Sequence, residues 1–263
     1  GAEAGLLGLL CFYLSTSLCF WHAAAAAAAR KGVPLFARFR RADIKLVSNL
    51  ALPSFVAYGM TPLAFFVVNS SIAAALGLKA LGLFAVALQM FQVTMFIPAT
   101  ISGPTLGYLS ACFSAGERRI YSAAVMQTIR LLLAAVLPVV SLMLLLGPSL
   151  IRALYGTTYA GAAPASIVLL LGSPAMLVAS GVSLALIAAG RAWTACAAAV
   201  VWLLLLGSLI IPGAGGGLLR VATSIAVSYY GGAAAAVYLA RPLLRLDDLR
   251  WRRTVTLLAL SLL

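Results

Sequence analysis

Residues 122–147 read SAAVMQTIRLLLAAVLPVVSLMLLLG. From Leu131 to Leu146 no side chain is charged, and the run approaches the ~20 apolar residues that a membrane-crossing helix needs. Arg130 stands at the edge of the run, one turn after Gln127. Its long stem can carry the guanidinium to a polar interface, so it is expected to snorkel there. The rest of the chain has the same character. Hydrophobic residues make up 64% of the 263 residues and charged residues 9%, too little charge to solvate a soluble domain. The apolar blocks are continuous Leu, Ala, Val and Ile. A transmembrane barrel would show short segments of strict alternation, so the blocks read as helices. The sequence predicts an all-α integral membrane protein, a polytopic helical bundle.

Outward from 122–147, seven near-complete spans are expected at 4–29, 46–70, 80–111, 122–147, 164–189, 193–211 and 218–239, with a truncated one from 254 onward. The chain opens at Gly1, inside or beside an apolar block, and closes in a block too short to span. It is therefore expected to be part of a longer protein.

The net charge of +13 is distributed in a way that argues against nucleic acid as a partner. Fourteen of the 18 Lys and Arg residues fall in the gaps 30–45, 112–121, 190–192 and 240–253. The intervening gaps, with the first residue of a following span, hold only Lys79, Arg152 and Arg220. Basic residues are retained on the cytoplasmic side, so the first set of gaps is expected to face the cytoplasm. If gap 30–45 is helical, Arg38, Arg41 and Lys45 share one face while Phe36 and Phe39 share another. Such a segment either lies on an anionic membrane surface or forms a solvated basic loop.

Prolines at 53, 62, 98, 104, 138 and 174 each remove a helical hydrogen bond and can kink the spans, as in the broken helices of transporters. Gln89 and Gln92 sit three residues apart on one helix face, which Phe96 and Thr100 continue. They are candidates for lining an aqueous cavity and binding a polar substrate. The bland reading is hydrogen bonding between helices. Gly103 and Gly107, extended by Ala111, form a GxxxG pattern that permits close helix approach. His22 is expected to be packed or interfacial, and Asn49 and Asn69 interfacial. Cys11, Cys19, Cys112 and Cys196 show no CxxC pairing and suit small core positions. The acidic residues are Glu3, Asp43, Glu117, Asp247 and Asp248, all outside the spans or at the chain's start. With one histidine and no phosphate-cradling loop, no catalytic, metal or cofactor site is expected, and the chain is not expected to be an enzyme.

The segment 147–174, GPSLIRALYGTTYAGAAPASIVLLLGSP, resembles the outer loop and following helix of bacterial polysaccharide and oligosaccharide-lipid flippases, in the multidrug/oligosaccharidyl-lipid/polysaccharide exporter superfamily. Leu154, Tyr155, Gly156 and Tyr159 carry the likeness. Gly156 suits a helix C-cap, and the tyrosines suit a membrane interface. LALIAAGRAWTA (184–195) is similar to that family's cytoplasmic turn, LIIPGAGGGLL (209–219) to its Gly-rich outer turn, and FIPATISGPTLGYLSA (96–111) to its Pro-containing helix. Leu218-Leu219-Arg220 departs from the small residues usual at that turn.

The resemblance implies that 1–29 is the last helix of an N-terminal bundle and 30–45 a basic linker between bundles. Residues 46–239 are then a second six-helix bundle, and 240–263 a cytoplasmic loop and the start of an extra helix. It implies a flippase that moves a polyprenyl-pyrophosphate-linked oligosaccharide across the bacterial inner membrane by alternating access, with membrane lipids as partners and a coupling ion left open. Lys79 and Arg220, each at the outer start of a span, then become candidates for holding an anionic headgroup. Two alternatives remain. A multidrug/cation antiporter of the same superfamily normally needs carboxylates deep in its spans, and none lies there. A membrane glycosyltransferase or polymerase usually carries a large outer loop, whereas no outer gap here exceeds 148–163.

Overall fold

The computed structural model describes residues 47–244, together with Ser15, Leu18, Cys19, His22, Ala26, Arg30 and Ile44. Residues 1–45 and 46–263 form two separate compact units. In the first, the seven described positions are helical. Most of the expected span 4–29 and of the basic segment 30–45, and the stretch beyond 244, lie outside the described residues.

The second unit is an all-helical bundle, with no strand among the described residues. A π-turn, Val47–Ala51, leads into α1, Leu52–Ser114. Then follow α2, Arg118–Tyr155; α3, Ala163–Ala188; α4, Ala192–Gly213; and α5, Leu218–Ala240. Short 3₁₀ turns, Thr157–Ala162 and Ala214–Gly216, connect α2 to α3 and α4 to α5. Among the described residues, four helical stretches are long and apolar enough to cross a membrane: Val47–Ser114, Arg118–Tyr155, Thr157–Ala188 and Ala192–Gly213. The fifth helix, α5, is not among them, diluted by Arg220, Thr223, Ser224, Ser228 and three tyrosines. The expected count of seven spans is thus not reproduced.

The expected gap between 46–70 and 80–111 is not a loop. Both blocks belong to α1, whose one non-helical position is Gly77, at φ 81° and ψ 173°. A side chain disfavours that conformation, so glycine concentrates the whole break in one residue. Ala73, Ala74 and Ala75, strong helix formers, carry the helix up to it. Conversely, among the described residues no proline breaks a helix. Pro62, Pro98, Pro104, Pro138 and Pro174 all sit inside α1, α2 and α3 with helical backbone around them. At Pro174 the compensation is visible. The missing N–H would have bonded to the Leu170 carbonyl, and the Ser173 hydroxyl donates to that oxygen instead, at 2.6 Å.

Turns at each end use glycines with positive φ. Gly156 caps α2, its N–H donating to the Arg152 carbonyl at 3.0 Å, as its place after Leu154-Tyr155 predicts. Gly190, at φ 72°, ends α3, and Arg191 N–H donates back to the Leu186 carbonyl at 2.8 Å. One end of the bundle holds Gly77, the 157–162 turn and the 213–217 turn; Gly82 and Leu83 there lie against Tyr159 and Gly161. The opposite end holds the turns at 115–117, 189–191 and 241–244, with Arg118, Arg119, Arg191 and Arg241. It is called the basic end below.

The core has two parts. Toward the glycine-rich end, Val68, Ile72, Phe84, Ile151, Leu169, Ile210 and Ile225 pack together. Toward the basic end, Leu109, Tyr121, Val125, Ile129, Val136, Val182, Leu186 and Leu243 do so. The α3 helix is central, packing on α1, α2 and most extensively on α5. The Tyr121 hydroxyl, at the start of α2, donates to the Ala185 carbonyl near the end of α3 and pins the two helices at the basic end. Tyr121→Phe removes this buried bond while leaving the carbonyl its helical partner, the Ala189 N–H. We expect a loss of about 1 kcal/mol, read as a lowered thermal midpoint of the purified protein. A midpoint equal to wild type would show that the bond contributes nothing.

Candidate functional site

Within the second leg of α1, residues 78–114, burial follows the helical period. Phe84, Ala87, Phe91, Thr94, Pro98, Thr105 and Leu109 face the core. On the opposite face Gln89, Gln92, Phe96, Thr100, Gly103, Gly107 and Ala111 form one exposed stripe, with Phe96 74% exposed. The structure therefore brings Gln89, Gln92, Phe96 and Thr100 together as their spacing predicts, and turns them outward from the unit. Two primary amides at mid-helix are poorly suited to hydrocarbon, where an amide without a hydrogen-bond partner costs several kcal/mol. The Thr100 hydroxyl is already used, donating to the Phe96 carbonyl at 2.9 Å.

The GxxxG pattern lies on this stripe and makes no close approach: a Cβ on Gly103 or Gly107 would meet nothing within 4 Å. The intimate contacts belong to glycines that spacing did not single out. A Cβ on Gly172 would stand 3.1 Å from Ala226 Cα, and one on Gly181 2.8 Å from Ile129 Cγ1.

Lys79 is exposed, two residues after the Gly77 break, at the glycine-rich end. At 1.5 Å per residue it lies about 15–20 Å along the helix from Gln89 and Gln92. Arg220 is exposed too, but its side chain folds back over the 213–217 turn. Its Nε would be 3.5 Å from a Cβ on Gly213, and its Cδ would collide with one on Gly216. The guanidinium thus sits at the C-terminal, electronegative end of α4, where positive charge is favourable. This explains why Leu218-Leu219-Arg220 can follow the turn: glycines 213 and 216 leave room for the arginine. Arg130 and Gln127 are exposed on α2.

Between the two parts of the core is a cavity of about 470 Å³. Small residues leave it unfilled: Ala57, Ala179, Ala195, Ala198, Ala199, Ala236 and Gly232 all line it. Tyr58, Thr61 and Ala99 are exposed and form its mouth between the two legs of α1, Tyr58 being 67% exposed. Ala99 adjoins Phe96 and Thr100, so the mouth opens beside the glutamine stripe. Trp202 and Tyr229 form the buried wall. Their rings stack at 5.7 Å, and Tyr229 stacks in turn on Phe91 at 5.8 Å. No lining residue is charged. Trp202 is 9% exposed and its indole N–H has no hydrogen-bond partner. The other two buried orphan hydroxyls, Ser54 and Ser166, do not line the cavity. Sequence reasoning missed this cavity, although Ala195, Ala198, Ala199 and Trp202 at helical spacing on α4 are a legible trace of it.

Among the described residues no group of His, Cys, Asp or Glu is placed to hold a metal. Cys112 and Cys196 are free thiols in half-buried and buried positions. No family profile, curated protein or solved structure matches the chain.

Proposed function

We propose that this chain forms the substrate-facing half of a flippase that moves a polyprenyl-pyrophosphate-linked oligosaccharide across the bacterial inner membrane by alternating access. The observation that carries the reading is the outward stripe of Gln89 and Gln92 on an otherwise apolar helix. A pair of amides at that depth suits a polar path shared with a second bundle better than lipid. In this reading 46–239 is a six-helix bundle, with the two legs of α1 acting as separate spans about Gly77, and residues 1–29 supply a seventh. The order of the Tyr-Gly, Ala-Gly-Arg and Gly-rich turns along the chain supports it. So does the basic end, which as the cytoplasmic face follows the positive-inside trend.

The test is transport of a fluorescent polyprenyl-pyrophosphate oligosaccharide in proteoliposomes made with the complete protein. Flipping is expected there, and none from residues 1–263 alone. Loss of flipping is expected for Lys79→Ala and Arg220→Ala, with normal membrane levels, while Arg152→Ala stays near wild type. Equal behaviour of all three would make the outer charges merely interfacial. Because Arg220 also packs on the 213–217 turn, its variant must be assayed at matched thermal stability. Orientation is checked by external thiol labelling: a cysteine at Thr158 is expected to react and one at Arg119 to stay protected. The reverse pattern would invert the topology.

A further inference from the structure

We propose that residues 52–61, the start of α1, form a strap that bends at Gly59 and Pro62, lifts from the bundle and widens the cavity's mouth between the two legs. Packing in the first leg changes abruptly at the proline. Beyond it Ala64, Val68 and Ile72, one per turn, are fully buried in the core at the glycine-rich end. Before it no residue from 54 to 63 is buried, and Phe55 is 78% exposed. Among the described residues the first leg adds nothing to the basic-end core; Ala57, Tyr58 and Thr61 line the cavity instead. A segment with so few buried apolar contacts opens at low cost. The joint is weak at the same place. Pro62 has no N–H to donate to the Tyr58 carbonyl. Gly59 is needed neither for space nor for conformation: a Cβ there would meet nothing within 4 Å, and its φ is not positive. Glycine there loosens the helix relative to alanine. Gly103 and Pro104 make a similar pair in the second leg, but Pro98 before them and Thr105 and Leu109 after them are buried, so the helix is held on both sides. The far tip of the strap is a latch. Pro53 is buried, and the π-turn Val47–Ala51 lies against α4. The Ser54 hydroxyl is buried there without a hydrogen-bond partner. An unpaired buried hydroxyl opposes the latched state, because lifting lets it meet water at the basic end.

The test measures distances between spin labels on the full chain in nanodiscs, with Cys11, Cys19, Cys112 and Cys196 replaced by alanine. One pair joins the strap to α4, through Phe55→Cys and Trp193→Cys. A control pair, Phe66→Cys and Leu204→Cys, joins the packed part of the same leg to α4. All four labelled positions are exposed. The strap pair is expected to show two distances, latched and lifted, and the control pair one. Gly59→Ala with Pro62→Ala restores an ordinary helix at the joint and should leave the strap pair with the latched distance alone. Ser54→Ala removes the orphan hydroxyl without touching the joint. It should raise the ratio of latched to lifted at least fivefold, the worth of one unpaired buried hydroxyl. Each substitution puts a strong helix former into a helix, so thermal midpoints at or above wild type are expected and show that the variants fold. A single narrow distance for the strap pair in the wild-type strap would overturn the proposal. So would two distances that neither variant shifts. Two distances in the control pair as well would overturn it too, since the whole leg would then move about Gly77 and the joint at Gly59 and Pro62 would have no part.

Discussion

Replacing Gln89 and Gln92 together by leucine in the complete protein is expected to reduce lipid-linked sugar transport by at least tenfold, at unchanged abundance in the membrane. The two amides share one exposed face of α1, separated by one helical turn. If they contact the hydroxyl groups of a sugar in a polar path, losing both removes several hydrogen bonds of about 1 kcal/mol each, and each 1.4 kcal/mol is tenfold. The competing explanations differ in the sign of a second readout. Were the stripe facing lipid, the double variant would raise stability, because leucine is the better residue in hydrocarbon. Were it bonded to a neighbouring helix, stability would fall by about 0.6 kcal/mol per pair. A path filled with water predicts little change in stability with a large loss of transport. Full transport in the double variant would remove the principal support for the flippase reading.

The second large effect is structural. Gly172→Val is expected to destabilise the bundle by on the order of 3 kcal/mol, the upper part of the overpacking range, and to yield protein that aggregates on purification. A Cβ there already meets the Ala226 backbone at 3.1 Å and the Tyr229 ring at 3.2 Å. The two additional methyls have no space between α3 and α5. Tyr229 cannot yield readily, because it is held between Phe91 and Trp202. Backbone cannot yield at all without prising apart the most extensive helix contact in the unit. Gly181→Val meets the Ile129 side chain, which is buried and has little freedom to move aside. By contrast, Gly103→Ala stands in open space and should be neutral or gain up to about 1 kcal/mol from helix propensity. Thermal midpoints of the three variants decide the matter. Equal midpoints for Gly172→Val and Gly103→Ala would mean that the α3–α5 contact is looser than described.

The same comparison shows which glycines the sequence could reveal. Gly156 was legible because a cap obeys local rules: it follows the end of an apolar run and needs only its own φ. Gly103 and Gly107 formed a recognisable pattern, yet a pattern on one helix says nothing about whether another helix arrives. Gly172 and Gly181 carry no local mark, since the need for them comes from Ala226 and Ile129, far along the chain. Gly77 lies between these cases. It falls in the expected gap between 46–70 and 80–111, but the gap was overestimated, because the helix runs through residues 71–76 and breaks at Gly77 alone.

By itself the sequence determined that this protein is helical, apolar and arranged with its basic residues gathered at one set of turns. These follow from composition, period and charge, which act within a few residues. It also determined that Gln89, Gln92, Phe96 and Thr100 share a face, since helical geometry alone does that. Only the tertiary structure decided that the face turns outward, that Arg220 lies over its glycine turn, and that the prolines leave their helices unbroken. Only it placed alanines from α3, α4 and α5 around one space and buried the Trp202 N–H without a partner. Such features depend on which helices meet and how closely, a choice made by packing among residues distant in sequence, where no local pattern records the outcome.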